Sequence, residues 1–167
     1  VIEEKTDCHR CNQTICDLAD LLYPALPKTT SKNTITTGHD GIFLIKSDEL
    51  DEYIKQHQPF LLRYDKRTKT GEHTALNIGL SKGRTYDRVL VFPTKNMLQF
   101  IKTKDHTKAG DVSKLYVAIT RAKEHCVLSY ASRGYTGNEL EVAHIIRDLP
   151  EVHFVREYKE DTEKTLL

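Results

Sequence analysis

The chain has 167 residues, a length that fits one domain with a sizeable hydrophobic core. Its apolar fraction of 38% and charged fraction of 29% exclude a wholly disordered protein, and no run approaches the ~20 apolar residues of a membrane span. The formal net charge of +1 neither favours nor excludes nucleic-acid binding, because a protein that is nearly neutral overall can still have a basic strip on its surface. The opening residues read as mid-chain sequence, so we expect an excised domain.

Apolar spacing and turn residues predict the secondary structure. We expect strands at 41–45, 60–62, 74–78, 88–92 and 125–130. We expect helices at 13–23, 94–103, 112–123 and 138–148, and a further helix that is capped by Ser47 or Asp48 and ends at residue 57. Polar loops fill 24–37 and 104–110, and a charged, frayed tail is expected at 158–167. Short strands alternating with helices predict an α/β domain with a mostly parallel sheet, which binds ligands at the carboxyl ends of its strands.

Three of the four cysteines, Cys8, Cys11 and Cys16, are crowded near the start of the chain. Cys8 and Cys11 have the spacing of half a zinc site, but no second Cys or His pair follows to close it. Ordinary reduced thiols in a reducing cytoplasm are therefore favoured. A metal-binding regulatory domain built on the three thiols stays open as an alternative.

The segment 77–87 joins two predicted strands through a small, flexible and cationic turn. Gly79 and Gly83 allow backbone N–H groups to approach an anion closely, and Ser81 and Lys82 add a hydroxyl and a charge. The pattern predicts either a cradle for a phosphate or a plain surface turn with a solvated lysine. Composition alone does not decide between them.

Two arginines lie at predicted helix ends. Arg121 comes near the end of the helix at 112–123, where its permanent charge and planar fork would suit a transferring phosphoryl group. Arg10 lies at the threshold of the first helix. Taken alone, Arg121 is more simply a complement to the helix dipole, and Arg10 a solvated cap residue. Arg63, at the end of a strand, stays unassigned.

The order of these segments resembles motifs IV, V and VI of superfamily 1 helicases of the UvrD/Rep type. Residues 9–10, His-Arg, are similar to the family's Tyr-Arg pair, and residues 81–83, Ser-Lys-Gly, to its Ala-Lys-Gly. Residues 116–122, Tyr-Val-Ala-Ile-Thr-Arg-Ala, resemble the most specific of the three motifs. The resemblance runs over about 8–130, most of the chain.

The resemblance implies a RecA-like fold of the P-loop NTPase type without its own P-loop, with residues 1–157 forming the C-terminal motor lobe. It implies that Arg121 and Arg10 are arginine fingers that contact the γ-phosphate of ATP. His9 would stack on adenine. Lys82 and Gly83 would lie between nucleotide and DNA and couple the two.

Other positions depart from the family pattern. Asn77, Gly79 and Leu80 stand where the family usually has Thr, His and Ser near the single strand, which puts specific DNA contacts from this half of the motif in doubt. Ser81, Asn77 and Gly79 are the residues that the resemblance assigns to nucleic acid. Thr85 replaces a glutamate that typically contacts the ribose, so nucleotide selectivity is expected to be looser.

No Gly-x-x-x-x-Gly-Lys-(Ser/Thr) occurs, so the sequence contains no P-loop lysine. The implied function is the C-terminal motor lobe of an ATP-dependent DNA helicase or translocase, inactive by itself. ATP and Mg²⁺ would bind together with the N-terminal motor lobe of the same polypeptide, and single-stranded DNA would be the partner. Two alternatives stay open: a degenerate, non-catalytic nucleic-acid-binding or docking module with the same fold, and an RNA-directed superfamily 1 motor.

Overall fold

The computed structural model describes residues 6–35, 40–46, 49–130 and 155–157. Its strands are β1 (Asp7–Cys8), β2 (Thr30–Ser31), β3 (Gly41–Lys46), β4 (Phe60–Arg63), β5 (Leu76–Asn77), β6 (Tyr86–Phe92), β7 (Ala122–Tyr130) and β8 (Val155–Glu157). Its helices are α1 (Gln13–Asp20), α2 (Leu50–His57), α3 (Lys95–Thr103) and α4 (Val112–Thr120), with 3₁₀ turns at Ile78–Ser81 and His106–Lys108.

A six-stranded sheet in the order β5-β4-β6-β7-β3-β8 forms the centre of the fold. Each pair of neighbouring strands in it is parallel. The short strands β1 and β2 pair with each other, also in parallel, outside this sheet. The predicted α/β architecture with a mostly parallel sheet is confirmed.

Helices cover both faces of the sheet. Along β3, Ile42 and Leu44 point to a core shared with α1, α3 and α4, whereas Phe43 and Ile45 point to a second core shared with α2. This alternation follows from the period of two along a strand. Because both faces are buried there, residues 42–45 of β3 and residues 89–92 of β6 are continuous apolar runs rather than alternating ones, as expected for a parallel sheet.

Several predicted boundaries were wrong. The helix expected at 112–123 ends at Thr120, because Ala122 already pairs with Tyr86 and so belongs to β7. Only Leu76–Asn77 of the strand expected at 74–78 pairs with β4, after which the chain turns. The loop expected at 24–37 contains β2, a strand too short to show a period.

Side-chain caps fix the start of three helices. Asn12 Oδ1 accepts a hydrogen bond from the N–H of Ile15 at 3.0 Å, and Thr94 and Asp111 do the same for α3 and α4. For α2 the predicted cap at Ser47 or Asp48 is corrected to Glu49, whose side chain makes no capping bond. Residues 47–48, the predicted helix at 138–148 and the tail at 158–167 lie outside the described residues.

Candidate functional site

One part of each segment singled out from the sequence lies at the amino-terminal edge of β6 and β7, where Asn12, Tyr86 and residues 121–123 meet. The N–H of Tyr86, the first residue of β6, donates to the carbonyl of Arg121 at 2.9 Å. The N–H of Asn12 donates to the carbonyl of Lys123 at 2.8 Å. Arg121 and the turn before Tyr86 precede β7 and β6, whereas Asn77 lies at the carboxyl end of β5. The site expected at the carboxyl ends of the strands stays a prediction.

Arg121 is buried, with 7% of its surface exposed, and is held by the protein's own oxygen atoms. Its Nε donates to the carbonyl of Val117 at 3.2 Å, and one Nη donates to the carbonyl of Arg84 at 3.2 Å. The other Nη lies 3.4 Å from Thr120 Oγ1. All three acceptors are neutral, so these bonds orient the guanidinium without neutralising its charge.

Arg10 is the second cation of this site, and we call Arg10 and Arg121 the arginine pair. Burial is the main cause of the lowered pKa of Arg121, and repulsion by the nearby Arg10 adds to it. The Nε of Arg10 is buried and has no hydrogen-bond partner. Within the part of the chain that the structure describes, neither arginine forms an ion pair with a carboxylate. Two adjacent cations that no described carboxylate pairs with are suited to bind an anion.

The loop that carries Arg10 is fixed by residues that the sequence analysis did not single out. Ser31 Oγ donates to the carbonyl of Cys11 at 2.6 Å, and Asn33 Nδ2 donates to the carbonyl of Arg10 at 2.8 Å. Asn12 holds the same loop to β7 and caps α1. An Asn just before a helical pattern is an N-cap signal, whereas nothing in the 24–37 loop marks Asn33.

Residues 82–85 form an exposed turn before β6, here called the cationic turn. Lys82, Gly83 and Arg84 are exposed, and Thr85 is partly buried. Gly83 has a φ of +79°, a conformation that favours glycine. The turn is tied to the arginine pair because the Arg84 carbonyl accepts the bond from Arg121. The sequence analysis missed this backbone role of Arg84, which no side-chain pattern indicates.

The segment before the cationic turn is arranged differently. Ser81 is fully buried, and its hydroxyl donates to the carbonyl of Ile78 at 2.6 Å. A contact between the Ser81 side chain and nucleic acid would therefore require another conformation. Asn77 Oδ1 accepts from Arg63 Nε at 2.8 Å, which gives the unassigned Arg63 a structural partner. Gly79 is exposed, as is Leu80, at 65%.

An open cavity of about 620 Å³ lies beside the cationic turn, lined by residues 57–60, 85–88 and Lys123. At its wall the rings of Phe60 and Tyr86 stack with centroids 3.7 Å apart. The hydroxyl of Tyr86 is buried without a hydrogen-bond partner. His9, the residue predicted to stack on adenine, is exposed next to Arg10.

Neither a metal site nor a membrane span is found in the described ranges. No group of three or more His, Cys, Asp or Glu side chains there is arranged to hold a metal ion. The alternative of a metal site on the three thiols therefore has no support from their placement. No helix among the described residues is long and apolar enough to cross a membrane.

No protein-family model matches the chain, and no curated protein matches it. Among solved structures the chain is similar to the PRRSV helicase, with 24% identity over 75% of this chain and a TM-score of 0.47. It is similar to a second structure, PRRSV nsp10 (helicase), with 21% identity over 77% of this chain and a TM-score of 0.45. The chain spans 22% and 24% of those two proteins.

Proposed function

We propose that this chain is the C-terminal, RecA-like motor lobe of a superfamily 1 helicase or translocase, in which the arginine pair completes an ATP site between two lobes. One observation carries the proposal. Cys11 and Thr120 are 109 residues apart in the chain, and the bond from Cys11 Sγ to the Thr120 carbonyl joins their segments. This contact brings Arg10 close to Arg121. No carboxylate in the described part of the chain forms an ion pair with either arginine. An arginine pair without a counter-ion favours a phosphate ligand.

The geometry of Arg121 suits charge stabilisation at a γ-phosphate. A guanidinium has five N–H donors, and the bonds to Val117, Arg84 and Thr120 use three of them. The remaining donors are free for phosphate oxygens, while the internal bonds hold the fork in place before the ligand arrives. Preorganised donors of this kind stabilise developing charge without rearrangement.

The chain offers residues for the phosphate, adenine and ribose of ATP, but its described residues offer none for Mg²⁺. ATP would supply the phosphoryl group, with Arg10 and Arg121 holding its terminal phosphate, His9 stacking on the adenine and Thr85 near the ribose. For Mg²⁺ the described residues offer no acidic cluster. We therefore assign Mg²⁺ to the N-terminal motor lobe, and expect this chain alone to have no ATPase activity.

The cationic turn is proposed to bind nucleic acid. Lys82 and Arg84 project from a turn whose backbone is bonded to Arg121, so a phosphate on the turn and a phosphate at the arginine pair are mechanically linked. Binding through backbone phosphates is salt-sensitive and largely neutral to sequence. We propose single-stranded DNA as the partner, with single-stranded RNA as the alternative to be separated by competition binding.

A second candidate is a non-catalytic nucleic-acid-binding module with the same fold. It is favoured by the burial of Arg121, which leaves 7% of its surface exposed and each of its nitrogen atoms bonded within the chain. In such a module Arg121 would hold the cationic turn in position and would not meet a nucleotide.

The test is nucleic-acid-stimulated ATPase activity of the native protein that contains these residues, compared with its Arg121→Ala and Arg121→Lys forms. An arginine finger predicts a fall in kcat of about 10³ or more in both, since lysine lacks the fork. Thermal unfolding of each variant checks that the fold survives. Normal ATP hydrolysis by a folded Arg121→Ala variant would contradict the proposed motor function. A wild type that binds DNA firmly but hydrolyses no ATP would favour the non-catalytic module.

A further inference from the structure

Three cysteines lie together beside the arginine pair, and we call Cys8, Cys11 and Cys16 the thiol cluster. The N–H of Cys11 donates to Cys8 Sγ at 3.4 Å, and Cys16 Sγ donates to the Cys11 carbonyl at 3.7 Å. All three are free thiols. Cys8 is partly exposed, whereas Cys11 and Cys16 are buried, at 1% and 4% exposure.

We infer that Cys8 is a site of oxidation by peroxide, and that one of the two buried thiols then captures it as an intramolecular disulfide. The arrangement meets the two requirements of such a site. Cys8 is partly exposed, and two further thiols lie next to it in the interior. The proposal goes beyond the motor function and does not depend on it.

The electrostatics of the cluster separate the roles of the three sulfurs. Burial by itself raises the pKa of the Cys8 thiol, but hydrogen bonding, chiefly from the backbone N–H groups of Cys11 and Arg10, outweighs it, so the pKa is lowered. Burial raises the pKa of Cys11 to about 11, and that of Cys16 is raised as well. Cys8 is thus the thiol of the three that loses its proton most readily, and its buried neighbours hold theirs more tightly.

The chemistry balances with hydrogen peroxide as the oxidant. The Cys8 thiolate attacks one peroxide oxygen, so an S–O bond forms, the O–O bond breaks and hydroxide leaves as Cys8 becomes a sulfenic acid. A second thiolate then attacks the Cys8 sulfur, the S–S bond forms and a second hydroxide leaves. The two hydroxides take up the two thiol protons, giving two waters. Oxidation also removes the negative charge at Cys8 that raises the pKa of Cys11 and Cys16, which prepares the second step.

A disulfide in the cluster would alter the loop that carries Arg10. Arg10 lies between Cys8 and Cys11 in the chain, and Cys11 Sγ donates to the Thr120 carbonyl at 3.3 Å, next to Arg121. A bridge to Cys11 removes that bond, and a bridge to Cys16 changes its bond to the Cys11 carbonyl. Loss of ATPase activity on oxidation is therefore expected, and this consequence alone rests on the proposed function.

The sequence provides a direct test. Trypsin cleaves after Lys5, Arg10 and Lys28, so Cys8 leaves in the peptide 6–10 and both Cys11 and Cys16 leave in the peptide 11–28. The reduced chain is treated with hydrogen peroxide, blocked with N-ethylmaleimide, digested and analysed by mass spectrometry. We expect the two peptides to be joined by one disulfide, and dithiothreitol to separate them. Fragmentation identifies the partner as Cys11 or Cys16.

Two controls make the outcome decisive. In reduced protein at neutral pH, Cys8 is expected to react with N-ethylmaleimide about tenfold faster than in the urea-unfolded chain. Cys8→Ser should abolish the linked peptides without lowering the thermal stability, and Cys8→Ala serves if the serine form unfolds. The inference is supported if the linked peptides form in the wild type and do not form in the Cys8 variant. Peptides that stay separate, with Cys8 no more reactive than in urea, overturn it.

A further arm uses the native protein. If it hydrolyses ATP, peroxide should lower the wild-type rate and leave the Cys8→Ser form unaffected. If it hydrolyses no ATP, the proposed function fails while the peptide linkage still tests the modification site. The two failures are thereby distinguishable.

Discussion

The arginine pair and the cationic turn are neighbours in space, yet they hold their positive charges in different ways. The guanidinium of Arg121 is buried and bonded to three neutral oxygens, and Arg10 Nε is buried beside it. Lys82 and Arg84 instead extend from an exposed turn. Because screening by salt weakens exposed charges much more than buried ones, the two regions are expected to differ sharply in salt dependence.

The difference suggests a division of work. A buried, oriented cation suits one phosphate in a fixed position, where developing charge must be stabilised. An exposed cation on a turn suits a polymer of phosphates, whose position shifts at each step. The bond from Arg121 to the Arg84 carbonyl joins the two regions.

The largest effect is expected at the arginine pair. Arg10→Ala in the native protein should lower kcat of the nucleic-acid-stimulated ATPase by about 10² to 10³, because it removes a cation that would stabilise the charged transition state. Steady-state kinetics at saturating nucleic acid measures it. His9→Ala, which changes the adjacent exposed side chain, is the comparison and should act mainly on KM for ATP. A rise in KM with unchanged kcat in Arg10→Ala would show that Arg10 serves only ground-state binding.

A smaller effect is expected at the cationic turn. Arg84→Gln removes the exposed charge but keeps the backbone carbonyl that accepts from Arg121. We expect the affinity for single-stranded DNA to fall several-fold, and the slope of log affinity against log salt to fall by about 0.7 for one lost phosphate contact. Fluorescence anisotropy over a range of salt concentrations measures both quantities.

The matched control is Lys55→Gln, which removes an exposed charge from α2. That helix packs against the opposite face of the sheet, so the net charge changes equally while the turn is untouched. Equal slopes for Arg84→Gln and Lys55→Gln would mean that only the overall charge matters, and the assignment of the turn to nucleic acid would be lost.

How far the sequence predicts this structure depends on the range of the interactions. The helices and the central strands follow from local apolar periodicity, and the parallel sheet follows from their alternation. The helix expected at 112–123 ended three residues early because pairing of Ala122 with Tyr86, 36 residues away in sequence, overrode a local helical pattern. Short strands such as β1 and β2 have no period to recognise.

The candidate site divides in the same way. Arg121 and Arg10 are visible in the sequence because motif order marks them, although only the fold shows that they lie together. Their supports, Asn33 and the Arg84 carbonyl, act through backbone atoms and long-range contacts that leave no pattern. The thiol cluster was noticed by spacing, but the different environments of Cys8 and Cys11 depend on burial, which the spacing does not give.

The smallest effect is expected on the free energy of unfolding, when Gly79 and Gly83 are each replaced by alanine. The sequence gives the two glycines the same expected role. Gly83 has a φ of +79°, and a Cβ at Gly79 or Gly83 would meet no atom within 4 Å. Gly83→Ala should therefore lower the free energy of unfolding by about 1 kcal/mol through backbone strain alone. Gly79→Ala, in a 3₁₀ turn without a positive φ, should change it by less than about 0.5 kcal/mol. Urea unfolding of the purified chain measures both.

Gly83→Asn tests the cause of this strain, because asparagine tolerates a positive φ better than alanine does. The asparagine form should recover part of the stability that Gly83→Ala loses. If both forms are as stable as the wild type, the turn takes another conformation in solution, and the position of Lys82 and Arg84 relative to the arginine pair must change with it. If Gly79→Ala is the more damaging variant, the segment before the turn, rather than the turn itself, sets the backbone path to Arg121.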